Sequence, residues 1–380
     1  MIYLDNSATT KPYSEAVDSF VKVSTEFFGN PSSLHGVGGK AERLLDQARQ
    51  QIASLLDVHK SEIFFTSGGT EGNNWAIKGA ALKYEGRGRH LITTAVEHPS
   101  VKMAFQQLED LGFFVSYAAV DRDGRVDPDE IEALIREDTI LVSVMHVNNE
   151  VGTIQPIEKI GELLKKYPKI LFHVDAVQAC GKIPLPLNEN LIDLCTISAH
   201  KIHGLKGTGA LYIRKGIEIF ALFSGGEQEA KLRSGTENVA GIVAMAKSLR
   251  LTLEKQENSA GSLLHMQHFL WGKLAPVEGV TINTPEKGAA PHIINFTISN
   301  VKAEVFVHAL EEHGIYVSTT SACSSKKSEA SPTLLAMGRS EKEARSSIRI
   351  SLSYQNQIGE METAANAIIK TITTLRKVRI

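Results

Sequence analysis

Cysteine is scarce in this chain: three residues, Cys180, Cys195 and Cys323, among 380. So small and odd a set argues against a disulfide framework and fits a reducing compartment. Cys180 and Cys195 stand in apolar surroundings, where a thiol behaves as a small hydrophobe. Cys323 stands among Ser, Lys and Ala and is the one to suspect of chemistry. Long apolar runs are also missing. No uninterrupted stretch reaches transmembrane length, and the opening MIYLDNSATT has neither a basic n-region nor an apolar h-region. A cytoplasmic protein with no membrane partner is expected. Nor does charge of one sign dominate: 41 Lys and Arg against 43 Asp and Glu leave a formal net charge of -2, no footing for a nucleic-acid surface. Neither direct nucleic-acid contact nor a metal site is expected.

What is present is length and a regular alternation of elements. The 380 residues exceed the roughly 250 to 300 at which single cores stop growing, so two domains are expected. Short apolar runs at 62–66, 90–96, 113–119, 139–147, 170–174, 191–197 and 210–213 read as strands. Most are separated by helical stretches, the pattern of a three-layer α/β domain. Helical spacing also marks 14–28, 39–57, 74–83 and 128–136, and a long stretch at 239–261 reads as a hinge. Beyond it, strands at 280–283, 293–298, 315–317 and 348–353 alternate with helices at 303–313 and 342–347, which reads as a second, smaller α+β unit.

The most informative stretch runs from 169 to 204. Two apolar runs there end in polar residues: Asp175 closes the first, with Gln178 one turn on, and Ser198-Ala199-His200-Lys201 closes the second. In a parallel sheet the C-terminal ends of strands are where ligands bind. A buried acid and a desolvated lysine are what pyridoxal phosphate needs, the acid to keep its pyridine nitrogen protonated and the amine to bond its aldehyde. The alternative for the same pair is an Asp capping the next turn and a solvated Lys.

Other positions add to the set. Ser67-Gly68-Gly69-Thr70 lies between a strand and a helix start, where free N–H groups and the helix dipole make an anion site; Gly69 and Thr70 are the phosphate candidates, against a plain turn. His98 follows a strand, placed either to stack on a flat ring and shuttle protons or to satisfy the fold. Arg349 offers a guanidinium that matches a carboxylate bidentately, against a surface ion pair. The segment 318–331, STTSACSSKKSEAS, has almost no apolar residues and reads as a mobile loop; in it Cys323 has Lys326 and Lys327 close by, which incline the thiol towards thiolate.

The residues HVDAVQ at 173–178, SAHKIHGLKGTGAL at 198–211, RSGTEN at 233–238 and SACSS at 321–325 resemble the cysteine desulfurases of the NifS/IscS type. The likeness extends nearly end to end, from YLDNSAT at 3–9 to RISLS at 349–353. It implies the α/β fold of type I pyridoxal-phosphate-dependent transferases: a three-layer αβα large domain with a mixed seven-stranded sheet over 11–255, and a smaller α+β domain made of 1–10 and 256–380 carrying the cysteine loop. It further implies that His98 lies over the cofactor ring and that Asn149 and Gln178 face the cofactor's phenolic oxygen. Ser198 and His200 join the phosphate site, with Thr236 of the neighbouring subunit completing it in a homodimer. Asn30 and Arg349, with Asn149, would contact the substrate, though the GNPSS turn at 29–33 also has backbone reasons for its Asn.

The reaction implied converts L-cysteine to L-alanine, leaves a persulfide on Cys323 and passes the sulfur to an acceptor protein. The distance from Cys323 to Ala336-Met337-Gly338 is that of the longer-loop group, which favours transfer over sulfide release. A selenocysteine lyase or a small-amino-acid aminotransferase is the alternative; the latter would use Lys201, Asp175 and Arg349 but not Cys323. The chain runs 31 residues past Arg349, shorter than the tail with which some IscS members engage an iron-sulfur scaffold. A tRNA thiolation or thiamine-pathway enzyme is then as good an expectation for the acceptor.

Overall fold

The computed structural model describes residues 1–319 and 330–377. Cys323, Lys326 and Lys327 lie outside the described residues, and so does most of the loop expected at 318–331.

Among the described residues, seven strands form the large sheet in the order Ile63–Thr66, Gly209–Ile213, Leu194–Ser198, Leu171–Asp175, Thr139–Met145, His90–Thr94, Phe114–Ala118. All point one way except Gly209–Ile213, which is antiparallel to both neighbours. The mixed seven-stranded sheet that the resemblance implies is therefore present. Its central strands are buried along their whole length, as strands with helices on both faces must be. One face is covered by Gly69–Tyr84 and Pro99–Asp110, which contribute Trp75, Ile77, Phe105 and Leu108 to its core. The other face packs on Gly36–Leu55, Pro128–Leu134, Ile157–Leu164 and Val239–Asn258 through Leu45, Ile52, Ile131, Ile160 and Ile242.

A second core gathers Leu4, Leu270, Phe296, Phe306, Ile350 and Ile368 around a four-stranded antiparallel sheet, Ser318–Thr319, Ser347–Ser351, Ile293–Ile298, Val280–Ile282. Phe296 and Phe306 meet edge to face with centroids 6.4 Å apart, a geometry that adds about 0.5–1.5 kcal/mol to their burial. The helix expected at 342–347 stops at Arg345 because Ser347 enters the strand opposite Thr297. The hinge at 239–261 is instead one helix ending at Asn258 and a second, Ala260–Leu274, that packs into the smaller core.

The first residues join the two parts. Ile2–Tyr3 pairs with Ile315–Tyr316, and Ser7 N donates to Ser351 Oγ at 2.7 Å. The chain then crosses to the large sheet, where Thr10 N donates to the His200 carbonyl at 2.9 Å and Tyr13 N to the His203 carbonyl at 3.0 Å. This strap passes beside Lys201.

Candidate active site

Strand ends, one helix start and the strap enclose a cleft of about 540 Å³. It is lined by Gly69, Thr70, His98, Asn149, Asp175, Gln178, Ser198, His200, Lys201 and Arg349. Ten of the residues singled out from sequence thus come together from positions spread over 280 residues (349 − 69).

Asp175 is the last residue of its strand and is 5% exposed. Its Oδ1 accepts from Val177 N at 3.0 Å and its Oδ2 from Asn73 Nδ2 at 2.7 Å. Lys201 ends the single turn that follows Leu194–Ser198, and its Nζ donates to the carbonyls of Ser7 and Ala8, the latter at 2.7 Å. Gln178 Nε2 donates to the same Ser7 carbonyl at 3.0 Å. The strap therefore supplies acceptors to two cleft residues at once.

The helix start at Gly69 has its own local cause. Gly68 has φ +150°, a conformation that L side chains rarely adopt. A Cβ on Gly69 would come within 2.8 Å of the Val177 side chain. Only glycines let this turn pass so close to the neighbouring loop, leaving the first N–H groups of Gly69–Tyr84 facing the cleft. Ser198 Oγ lies by the same turn, buried and without a partner among the described residues. His200 Nδ1 meets Thr9 Oγ1 at 3.2 Å. Burial pushes the His200 pKa down to about 4, and Lys201 and Lys206 add to the effect, so its ring is neutral at pH 7.

Arg349 is 1% exposed on the smaller sheet. It donates from Nη1 to the Asn149 carbonyl at 2.9 Å and from Nη2 to Asp5 Oδ1 at 3.0 Å, while Nε is buried without a partner among the described residues. Burial raises the Asp5 pKa, with Arg349 opposing the shift. A buried guanidinium with donor capacity left over, at the rim of a cleft, suits a carboxylate ligand.

Two sequence candidates lie elsewhere. Asn30 is exposed, and its Oδ1 accepts from Ser32 N at 2.9 Å within its own turn, so the backbone explanation of the GNPSS turn describes what is seen. Thr236 is exposed on the loop that follows Arg233, outside the cleft of its own chain. That loop is tied to the phosphate turn by Arg233 Nε donating to Glu71 Oε1 at 2.9 Å.

Four participants were not read from sequence. Asn73 sits one helical turn after Gly69, an i, i+4 spacing that could have pointed to it. Asp5 lies in the polar DNSATT segment. Ser100 follows His98 by two residues. Glu97 is buried behind the site, its Oε1 accepting from Met145 N at 2.9 Å and Thr94 Oγ1 at 2.7 Å.

A model of the aminotransferase class-V family matches residues 2–363. The chain belongs to the class-V aminotransferases, in their NifS/IscS cysteine desulfurase branch. It is 47% identical to a NifS/IcsS protein homolog of Lactobacillus delbrueckii subsp. bulgaricus over 364 residues, 95% of this chain and 94% of that one. It is 41% identical to cysteine desulfurase IscS of Dictyoglomus turgidum over 378 residues, 99% and 96% of the two chains. The solved structure of a NifS-like protein superposes with a TM-score of 0.92 at 39% identity, covering 98% of this chain and 99% of that one.

Class-V aminotransferases of this branch are pyridoxal phosphate enzymes, and the cleft fits that cofactor. A phosphate needs donors and finds a helix N-terminus beside the Ser198 hydroxyl, which has no partner among the described residues. A pyridinium needs a buried carboxylate, which Asp175 provides, and an aldehyde needs an amine, which Lys201 provides.

Proposed function

We propose that this protein is a pyridoxal-phosphate-dependent cysteine desulfurase that turns L-cysteine and the thiol of Cys323 into L-alanine and a Cys323 persulfide. One observation carries the reading: an amine, a carboxylate and a buried guanidinium, from three separate elements, line one cleft in a chain of the NifS/IscS branch.

When bound, pyridoxal phosphate supplies an electron sink for the pair released at the substrate Cα. Gly69, Thr70, Ser198 and His200 hold its phosphate, joined by Thr236 of a second copy, so the working unit is a homodimer. Asp175 keeps the ring nitrogen protonated, and Asn149 and Gln178 hydrogen-bond the phenolic oxygen. Arg349 pairs with the substrate carboxylate, with Asn149 as a further substrate contact. Lys201 would hold the cofactor's aldehyde, and its amine, oriented by the carbonyls of Ser7 and Ala8, would take the proton from the substrate Cα. Cys323 thiolate takes the substrate sulfur: the C–S bond breaks as the S–S bond forms, and a proton replaces sulfur on the carbon that becomes the methyl group of alanine.

Residues 11–255 form the domain that binds the cofactor, and 1–10 with 256–380 the domain that carries Cys323. The persulfide then passes in the cytoplasm to an acceptor protein, a tRNA thiolation or thiamine-pathway enzyme or an iron-sulfur scaffold.

The test is L-alanine formed from L-cysteine in the presence of a reductant, native protein against Cys323→Ala. Alanine from the native protein, and none from a variant that keeps its cofactor absorbance, supports the reading. Equal alanine from both removes Cys323 from the mechanism.

A further inference from the structure

Four side chains form one directional hydrogen-bond chain between Asp175 and His98. Asp175 Oδ2 accepts from Asn73 Nδ2 over 2.7 Å. A carboxylate only accepts, so the amide must turn its NH2 this way; the flipped amide would set Oδ1 against the carboxylate. The second hydrogen of the same NH2 goes to Ser100 Oγ at 2.9 Å, and Asn73 Oδ1 is left buried and without a partner among the described residues. Ser100 Oγ, already accepting, has its own proton for His98 Nδ1, 2.8 Å away.

A second donor reaches that nitrogen. His98 is the N-cap of Pro99–Asp110, and the backbone N–H of Ser100 points at Nδ1 over 3.1 Å. A hydroxyl can turn round, but a backbone N–H cannot, so Nδ1 is an acceptor. The ring's own proton then resides on Nε2.

We propose that Asn73 and Ser100 are positioning residues that lock His98 in its neutral Nε2–H tautomer, so that the ring nitrogen not held by Ser100 is a hydrogen-bond donor rather than a proton acceptor. This rests on the function proposed above and sharpens it. A base at Nε2 would have to carry its proton on Nδ1, against two donors. Proton removal at the substrate Cα is thereby left to Lys201, and the sequence-level expectation of a proton shuttle at His98 is replaced by a fixed donor.

The charges facing the ring agree. Burial lowers the His98 pKa, Lys201 and Arg349 lower it further, and Asp175 opposes them. Protonation of Nδ1 would also cost both hydrogen bonds from Ser100.

The experiment is long-range 1H–15N NMR of the holoenzyme labelled at histidine, with the His98 signals assigned by their loss in His98→Gln. From about pH 7.5 to about pH 8.5, above the ordinary imidazole value, Nδ1 should show the shift of an unprotonated nitrogen and Nε2 that of a protonated one. A protonated Nδ1, or averaging between tautomers, overturns the lock. In Ser100→Ala the imidazolium should appear at a pH higher by about one unit, the expected cost of losing one hydrogen bond to the neutral ring. Ser100→Thr, which keeps a hydroxyl, should restore the native titration, and Asn73→Ala should raise it by less than Ser100→Ala. If Ser100→Ala folds and titrates as the native protein does, the hydroxyl does not set the tautomer and the proposal fails. Alanine formation measured alongside separates the two claims: a locked ring in a protein that makes no alanine sinks only the desulfurase reading, and a free ring in an active protein sinks only the lock.

Discussion

Arg349 and Asn149 meet guanidinium to carbonyl at 2.9 Å, so the last strand of the smaller sheet is fastened to the turn that follows Thr139–Met145. The same guanidinium reaches Asp5 at 3.0 Å. Three segments distant in sequence thus converge on one side chain, which is also the one proposed to hold the substrate carboxylate.

Replacing that fork by a single ammonium should weaken substrate binding and leave the cofactor in place. For Arg349→Lys we expect KM for L-cysteine to rise about 10- to 100-fold, the worth of a charge-assisted hydrogen bond, with the visible absorbance unchanged. Steady-state kinetics with an absorbance spectrum of each protein decide it. An unaltered KM would take Arg349 out of the substrate site.

Glu97 should make the folded state sensitive to alkali. Burial raises its carboxyl pKa to about 8, hydrogen bonds from Thr94 and Met145 working against the shift and Asp175 adding to it. The folded state therefore holds a proton that the unfolded state releases above its ordinary value of 4.5. The stability it contributes is fully present below that value and is lost as pH rises through about 8. Buried histidines act in the opposite sense: burial lowers His203 and His173 to about 3 and His146 to about 4, so they favour the fold as pH rises towards 6.5. The difference between native protein and Glu97→Gln isolates the carboxyl. Denaturation midpoints from pH 5 to about pH 9 should fall for native relative to the variant; parallel curves would refute the assignment.

Lys182 is 6% exposed, with Nζ buried and without a hydrogen-bond partner among the described residues, 5.2 Å from the centroid of the Tyr354 ring. Burial lowers its pKa to about 8. Between that value and 10.5 the unfolded chain binds a proton the folded one does not, so stability rises with pH there and the cost is greatest below about 8. Lys182→Met keeps the stem and removes the charge. At pH 7 it should unfold at a higher denaturant concentration than the native protein, and a lower midpoint would mean that the ammonium has a partner worth more than its burial costs.

Arg49 and Glu229 form a bidentate pair at 2.8 and 2.6 Å, and Glu229 also accepts from Phe65 N at 2.9 Å. The pair pins three consecutive left-handed residues, Glu229, Ala230 and Lys231, with φ of 45°, 55° and 68°. Removing one partner leaves a charge on the other and releases the strained turn. Glu229→Gln should destabilise the protein by about 3–5 kcal/mol in chemical unfolding. A loss under about 1 kcal/mol would place the pair with surface ion pairs.

Which parts were legible in the sequence follows from how each is encoded. Asp175 and Lys201 were visible because each closes an apolar run, and a strand's end is a place the pattern itself marks. Gly69 and Thr70 were visible as a glycine break between a strand and a helix. Asn73 and Ser100 were not: helical spacing puts Asn73 on the face of Gly69, but what gives the two their role is contacts across 102 and 27 residues, which that spacing does not record. Asn30 is the converse: a turn motif that drew attention but spends its side chain on its own backbone. The helix Ala260–Leu274 was missed because one continuous helical pattern runs across Ser259, where the backbone breaks.

The strap that leads from Ile2 to Tyr13 has a consequence for how the chain comes to be active. Ser7 donates its N–H to Ser351 Oγ and its carbonyl accepts from Lys201 Nζ, so a residue made among the first is fixed by one made among the last, 344 positions later. Contacts of such separation form late in folding. During synthesis the central sheet can assemble while the front of the chain still waits for its partner on the ribosome. The hydrogen bond that fastens Ser7, whose carbonyl Lys201 uses, therefore forms only once residue 351 has emerged.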